Sequence, residues 1–263
     1  MSQLDLTRVT PEAKSVVQAA AEAYLRHTEQ WCIGLLVHGS ALKGGFIPGC
    51  SDIDMQIYLK PQAFTSYGQL PLEVCSTIQR DLVHIDPYPF QYIQGYVLPP
   101  APRPGYAGPI PGAYHLLTGS LPVPEAREED LQTSARKALT TLDERIAYYC
   151  RGLLDHGSGK LERYVRFICT DVWPTLCHTL SIQTQDAIRV WGLPKHEGIA
   201  LLPQESRLAQ TIQEFYQALH LYYPSATSTE GAIKVIAAGI AFFEAAGTWW
   251  TDAQPQAHLR SGC

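Results

Sequence analysis

The 263-residue sequence has no C-x-x-C pair, and its seven cysteines (Cys32, Cys50, Cys75, Cys150, Cys169, Cys177, Cys263) are odd in number and irregular in spacing. That argues against a disulfide framework or a structural zinc site, and makes reduced thiols in a cytoplasmic protein the expectation. A basic excess is also missing. Twenty Lys plus Arg stand against 25 Asp plus Glu, a net charge of -5, which disfavours an extended nucleic-acid surface while leaving room for a local pocket that takes one small anion. The longest apolar stretch, Ile233 to Trp250, is interrupted by Lys234 and Glu244, so a buried helix is expected there and no membrane span. The opening residues, MSQLDLTRVTPEAK, lack the basic-then-apolar profile of a signal peptide. Neither a fixed-period repeat nor a low-complexity tract occurs. Charged residues reach only 17%, whereas Tyr alone numbers 14, and the length allows one large domain or two modest ones with cores built from packing.

The pattern of apolar residues changes along the chain. Pro11 to about Trp31 has helical spacing behind a Thr10-Pro11-Glu12 start. Cys32 to Val37 is a short apolar run closed by His38-Gly39-Ser40, and Asp52 to Leu59 follows a Gly- and Pro-rich stretch. Both are expected to be strands. A helix is expected over Pro71 to about Val83 and a strand over Phe90 to Leu98, which together give a mixed α/β region. The connection Pro99 to Gly112 holds six prolines and three glycines, and reads as a stiff linker or as a flap over a site. Beyond Pro124 long helical periods dominate: Glu128 to Leu154, Lys160 to Ile182, Gln185 to Trp191, Glu205 to Tyr222 and Thr229 to Trp250. The expected architecture is α+β, an N-terminal mixed α/β domain over residues 1–118 and an all-α helical bundle over 124–252, with the seam near 113–127.

Chemistry concentrates in LVHGSALKGGFIPGCSDIDMQIYL, Leu36 to Leu59. In a strand, residues i and i+2 share a face and lie roughly 6.6 Å apart, so Asp52 and Asp54 present two carboxylates together. Like charges so placed repel unless a cation lies between them, and oxygen ligation is what Mg²⁺ or Mn²⁺ takes, with substrate phosphates completing the shell. Gly39 clears space for a phosphate to reach backbone N–H groups, Ser40 adds a hydroxyl, and Lys43 stands close by in sequence. The histidines have no metal-ligand spacing. His38, before the turn, reads as a strand-end packing residue or as a proton carrier. Trp173, Tyr164, Trp191, Tyr216, Trp249 and Trp250 read as bundle core or as stacking surfaces.

G-S, a Gly-rich loop, and S-D-I-D heading an apolar strand resemble the signature of the DNA polymerase β-like nucleotidyltransferases. The segment GSALKGGFIPGCSDIDMQIYL further resembles the aminoglycoside (streptomycin/spectinomycin-type) adenylyltransferases, and LLTGSLPVPEAREEDL and LERYVRFICTDVWPTL are similar to that family's second domain. The resemblance implies transfer of a nucleoside monophosphate, AMP from ATP or its equivalent from another NTP, to a hydroxyl of a small acceptor such as an aminoglycoside-like compound, in a cleft between the two domains. Asp52 and Asp54 would carry the metal, and Gly39, Ser40 and Lys43 the phosphates.

Three positions depart from the family's pattern. The third carboxylate on the following strand matches Gln91, with Asp86 as the alternative in a shifted register. A neutral amide binds a metal through its oxygen but cannot act as a general base. An Arg that approaches the phosphates matches Asp171, and a Lys falls near Gln185, while Lys160, Arg163 and Arg166 lie on the Asp171 helix. Two readings follow: a metal-dependent transferase, or a degenerate relative that binds a nucleotide or a protein partner without catalysis.

Overall fold

The computed structural model describes residues 3–101, 105–155, 157–223 and 228–253. Pro102 to Pro104 of the Pro-rich connection, His156, the expected break at Pro224, His258 and Cys263 lie outside them. The chain divides into two compact units, Met1–Arg127 and Glu128–Cys263.

In the first unit, α1 (Lys14–Thr28) leads to β1 (Cys32–His38), a single-turn helix α2 (Ser40–Lys43), β2 (Ile53–Leu59), α3 (Leu72–Leu82), β3 (Ile93–Leu98) and β4 (Tyr114–Gly119). The sheet order is β3-β2-β1-β4. β1 runs antiparallel to both β2 and β4, and β2 runs parallel to β3. Strand alternation sends Leu35, Val37, Ile53, Met55, Ile57 and Leu59 to one face, where they are fully buried with Val17, Ala20 and Tyr24 of α1 and Ile78 of α3. Leu36, Tyr58 and Leu98 form a smaller cluster on the other face, with Leu116, Leu121 and Val123 packed against it.

β4 overlaps the expected seam near 113–127, and Tyr114 to Gly119 complete the sheet beside β1. Pro111 before it and Pro122 after it hide a six-residue strand from any pattern reading. The segment before α1 covers the outer edge of β4: the Asp5 N–H donates to Leu117 O at 2.8 Å, and the Arg8 guanidinium donates to Tyr114 O and Gly112 O.

The second unit is a helical bundle of α4 (Glu128–Leu139), α5 (Leu142–Gly152), α6 (Ser158–Thr184), α7 (Ala187–Gly192), α8 (Lys195–Ala200), α9 (Arg207–Tyr222) and α10 (Thr229–Ala253). The single helix expected over Glu128 to Leu154 is broken at Thr140-Thr141, whose hydroxyls donate to Lys137 O and Ala138 O and so close the last turn of α4. Val165, Ile168, Val172, Leu176 and Leu180 of α6, at helical spacing, form the buried spine of the bundle. The Glu128 carboxylate accepts from the backbone N–H groups of Ala187 and Ile188 and thereby caps α7 from α4. α10 has the length and apolarity of a membrane span, but Val235, Ile236, Phe242 and Phe243 bury one of its sides within the bundle.

A Cβ at Gly95 would lie 2.1 Å from the Tyr24 hydroxyl oxygen and 2.4 Å from its ring carbon Cζ. Tyr24 is 5% exposed, so Gly95→Ala is expected to lower the unfolding free energy by about 1–3 kcal/mol in urea melts; an unchanged midpoint would show that the ring has room to move. Burial, then the charge of Arg145, pushes His178 down to about 4. A folded-state pKa below the unfolded value means that stability present above pH ~6.5 is lost as pH falls toward 4. His178→Phe should therefore flatten the drop in stability between pH 7 and pH 5 by on the order of 2 kcal/mol at most, and an unaltered pH slope would contradict the assignment.

Candidate functional site

The site is built where β1 gives way to α2. Gly39 links them at φ 74°, ψ −147°, a conformation open to glycine. A Cβ there would stand 2.9 Å from Asp54 Oδ2. Glycine thus lets the turn lie against a carboxylate of the neighbouring strand. Ser40 opens the single helical turn, and its hydroxyl donates to Asp52 O at 3.4 Å, tying turn to strand across twelve residues.

The loop between them is held at both ends. Gly44, Gly45 and Gly49 all take positive φ. Ile47 is buried, its N–H donates to Ser51 Oγ at 2.9 Å, and the N–H groups of Cys50 and Ser51 return to Ile47 O. Asp52 is then fixed by its flanks, because the Gln91 N–H donates to Ser51 O and the Ile53 N–H to Tyr92 O. Asp52 directly precedes β2 and Asp54 is its second residue, so their shared parity puts both carboxylates on the same side. In the antiparallel register His38 is the partner of Asp54, and in the parallel register Gln94 is. Tyr114 of β4 lies opposite His38, which makes one row across the sheet: Gln94, Asp54, His38, Tyr114.

The sequence candidates fall as follows. Gly39, Ser40, Asp52 and Asp54 come together. Lys43 ends α2, and its charge reaches His38: burial first, then Lys43, pushes that imidazole down to about 4. Gln91 lies two residues before β3, with its side-chain Oε1 buried and unpartnered. The residue opposite Asp54 is Gln94 instead, whose amide donates to the Tyr96 hydroxyl. Asp86 is exposed and its carboxylate accepts from the Tyr88 N–H at 3.0 Å. In the bundle, Asp171 accepts from Arg145 Nη1 at 3.0 Å and from the Tyr149 hydroxyl at 2.6 Å. Burial, reinforced by Asp171, raises the Tyr149 pKa well above its ordinary value. Gln185 follows α6 in the left-handed conformation and donates to Ile182 O, and Arg163 lies over the Phe167 ring at 5.0 Å.

Two carboxylates beside a glycine gap suit a hard divalent cation such as Mg²⁺ or Mn²⁺. Among the described residues, no three His, Cys, Asp or Glu side chains converge on a metal position. Pattern reading missed Gln94 and the polar side chains beyond Asp54 on its face, Gln56 and Tyr58. Their i+2 spacing from the Asp pair was the available signal.

No protein-family profile matches the chain, and no curated protein matches it. Solved structures do. One is a crystal structure of spectinomycin adenyltransferase AAD(9) from Enterococcus faecialis with ATP and spectinomycin, to which this chain is similar at 14% identity and a TM-score of 0.49, over 88% of this chain and 99% of that one.

Gly44 has positive φ like Gly39, yet a Cβ there would meet nothing within 4 Å. Gly44→Ala should lose only the backbone-strain contribution, about 1–2 kcal/mol, and Gly39→Ala should lose more because its methyl also displaces Asp54. Equal midpoints for the two variants in denaturant melts would refute the close approach to the carboxylate.

Proposed function

We propose that this chain is a metal-dependent nucleotidyltransferase that moves a nucleoside monophosphate, AMP from ATP in the first instance, to a hydroxyl of a small acceptor of the aminoglycoside-like kind. The observation that carries this reading is the pairing of Asp52 and Asp54 on one side of β2 with Gly39 held at 2.9 Å, Cβ position to carboxylate, across the sheet. Asp52 and Asp54 would hold the divalent cation, which when bound supplies positive charge to the triphosphate and polarises its phosphorus centre. Gly39 would let backbone N–H groups of the turn approach a phosphate oxygen, the Ser40 hydroxyl would turn from Asp52 O to donate to one, and Lys43 would add positive charge. In the transfer, the acceptor oxygen would form a bond to the α-phosphorus, the bond from that phosphorus to the bridging oxygen would break with pyrophosphate as leaving group, and the acceptor's proton would pass to solvent water. Neither Gln91 nor Gln94 can take that proton, because an amide has no basic lone pair to offer. What the named residues would contribute is positioning and charge.

A second reading, nucleotide binding without turnover, is favoured by those same two amides.

Calorimetric titration of ATP and the other NTPs with Mg²⁺ tests the shared premise. The wild type is expected to bind, and Asp52→Ala/Asp54→Ala to lose at least about tenfold in affinity. A wild type that binds no nucleotide in the presence of metal would falsify both readings. Pyrophosphate release across a panel of hydroxylated acceptors then separates them: release supports the transferase, and tight binding with no release supports the binder.

A further inference from the structure

A single helical turn fixes several backbone dihedrals for few hydrogen bonds and does not stand by itself. In α2 the Leu42 and Lys43 N–H groups donate to Gly39 O, and the Gly44 N–H to Ser40 O. The Ala41 carbonyl is left over at the end of the turn, and the backbone N–H of Thr10 donates to it at 2.9 Å. Thr10 is itself fixed from the other side, because its carbonyl accepts from the N–H groups of Ala13 and Lys14 where α1 begins. Around this contact Val9, Ala13 and Ala41 are buried in one apolar cluster. Two residues before Thr10, the Arg8 guanidinium spans Gly112 O at 2.8 Å and Tyr114 O at 3.1 Å. Tyr114 is the cross-strand partner of His38, the residue from which Gly39 and α2 spring.

We infer that Arg8 to Thr10 form a strap that sets the position of the Gly39–Lys43 turn. Thr10, through its backbone N–H, and Arg8, through its guanidinium, are then positioning residues for the anion that the turn receives, and both act through α2 and β4 rather than on the ligand. On one side the Ser40 hydroxyl ties the turn to the head of β2. On the other, the strap ties it to the start of α1 and to the first residue of β4. The Thr10 hydroxyl has no share in this, since its Oγ1 is buried without a hydrogen-bond partner and the bond to Ala41 belongs to the main chain. That the anion is a nucleotide phosphate rests on the nucleotidyltransferase reading; the strap does not.

Amide hydrogen exchange in the nucleotide-free protein reads the strap directly. Thr10→Pro removes the donated N–H at a position that Pro11 already biases toward extended backbone, whereas Thr10→Val keeps that N–H and replaces the unpartnered hydroxyl by a methyl. Thr10→Pro is expected to speed exchange at Leu42, Lys43 and Gly44 about tenfold, the worth of one hydrogen bond, with the amides of β2 unchanged and Thr10→Val like wild type. Arg8→Leu, the companion variant should the proline prevent folding, is expected to give a smaller rise at the same amides. Turn amides that exchange as in wild type, a rise shared equally by β2, or an equal rise in Thr10→Val overturns the inference. With ATP and Mg²⁺, Thr10→Pro and Arg8→Leu are expected to bind several-fold more weakly than wild type and Thr10→Val. Equal affinities overturn the positioning role. A wild type that binds no ATP removes the nucleotidyltransferase reading, while the exchange rates decide the strap by themselves.

Discussion

Two carboxylates on one side of a strand repel each other, and a chain that keeps them there must hold the backbone more firmly than the charges push. In this protein that restraint comes from backbone hydrogen bonds on both flanks of β2. On one side β1 pairs with it from Cys32 to His38, and on the other β3 and its lead-in grip Ser51, Ile53 and Asp54. Below, Ile53, Met55 and Ile57 are sunk in the core against α1 and α3, so a one-residue slip would bring Asp52 and Asp54 into an apolar interior. The burial of three aliphatic side chains is what forces the acidic pair outward. The glycine-gated turn, the Ser40 link and the row across the sheet all presuppose that register.

The elements around this restraint were legible because their periods are strong. The helix of Val16, Val17, Ala20 and Tyr24, the apolar run of β1 and the alternation of β2 each announce one type of structure. What could not be read is how strands pair. The position of Gln94 opposite Asp54 follows from a parallel register set by the path through residues 83–92, a long-range fact with no local mark. A nine-residue strand was expected from Phe90, yet its first three residues form a bend and lead-in, and that moves the count by one face. β4 was hidden by brevity and flanking prolines, and the break of α4 from α5 by threonines that score as neutral helix residues while their hydroxyls close a turn.

Asp171 illustrates a limit of reading charge from sequence. As a bare carboxylate it would repel a triphosphate. In the bundle it accepts from a guanidinium and a phenol, so much of its field is spent on neighbours of its own unit. Glu128, whose two oxygens meet backbone N–H groups of α7, is used in the same way. Asp171 and Glu128 thus brace helices of the bundle, in contrast to the pair that heads β2.

The arm from Asp5 to Arg8 bonds to carbonyls along β4, and those carbonyls are the ones a fifth strand would need. With that side occupied, the sheet has only β3 at which another polypeptide could extend it. β3 is six residues long, contains Gly95, and runs into Pro99 and Pro100, which have no N–H to offer. A row of strands with one end sealed and the other cut short resists edge-to-edge polymerisation, and this lets the molecule keep the sheet face that carries Asp54, Gln56 and His38 without exposing a template for aggregation.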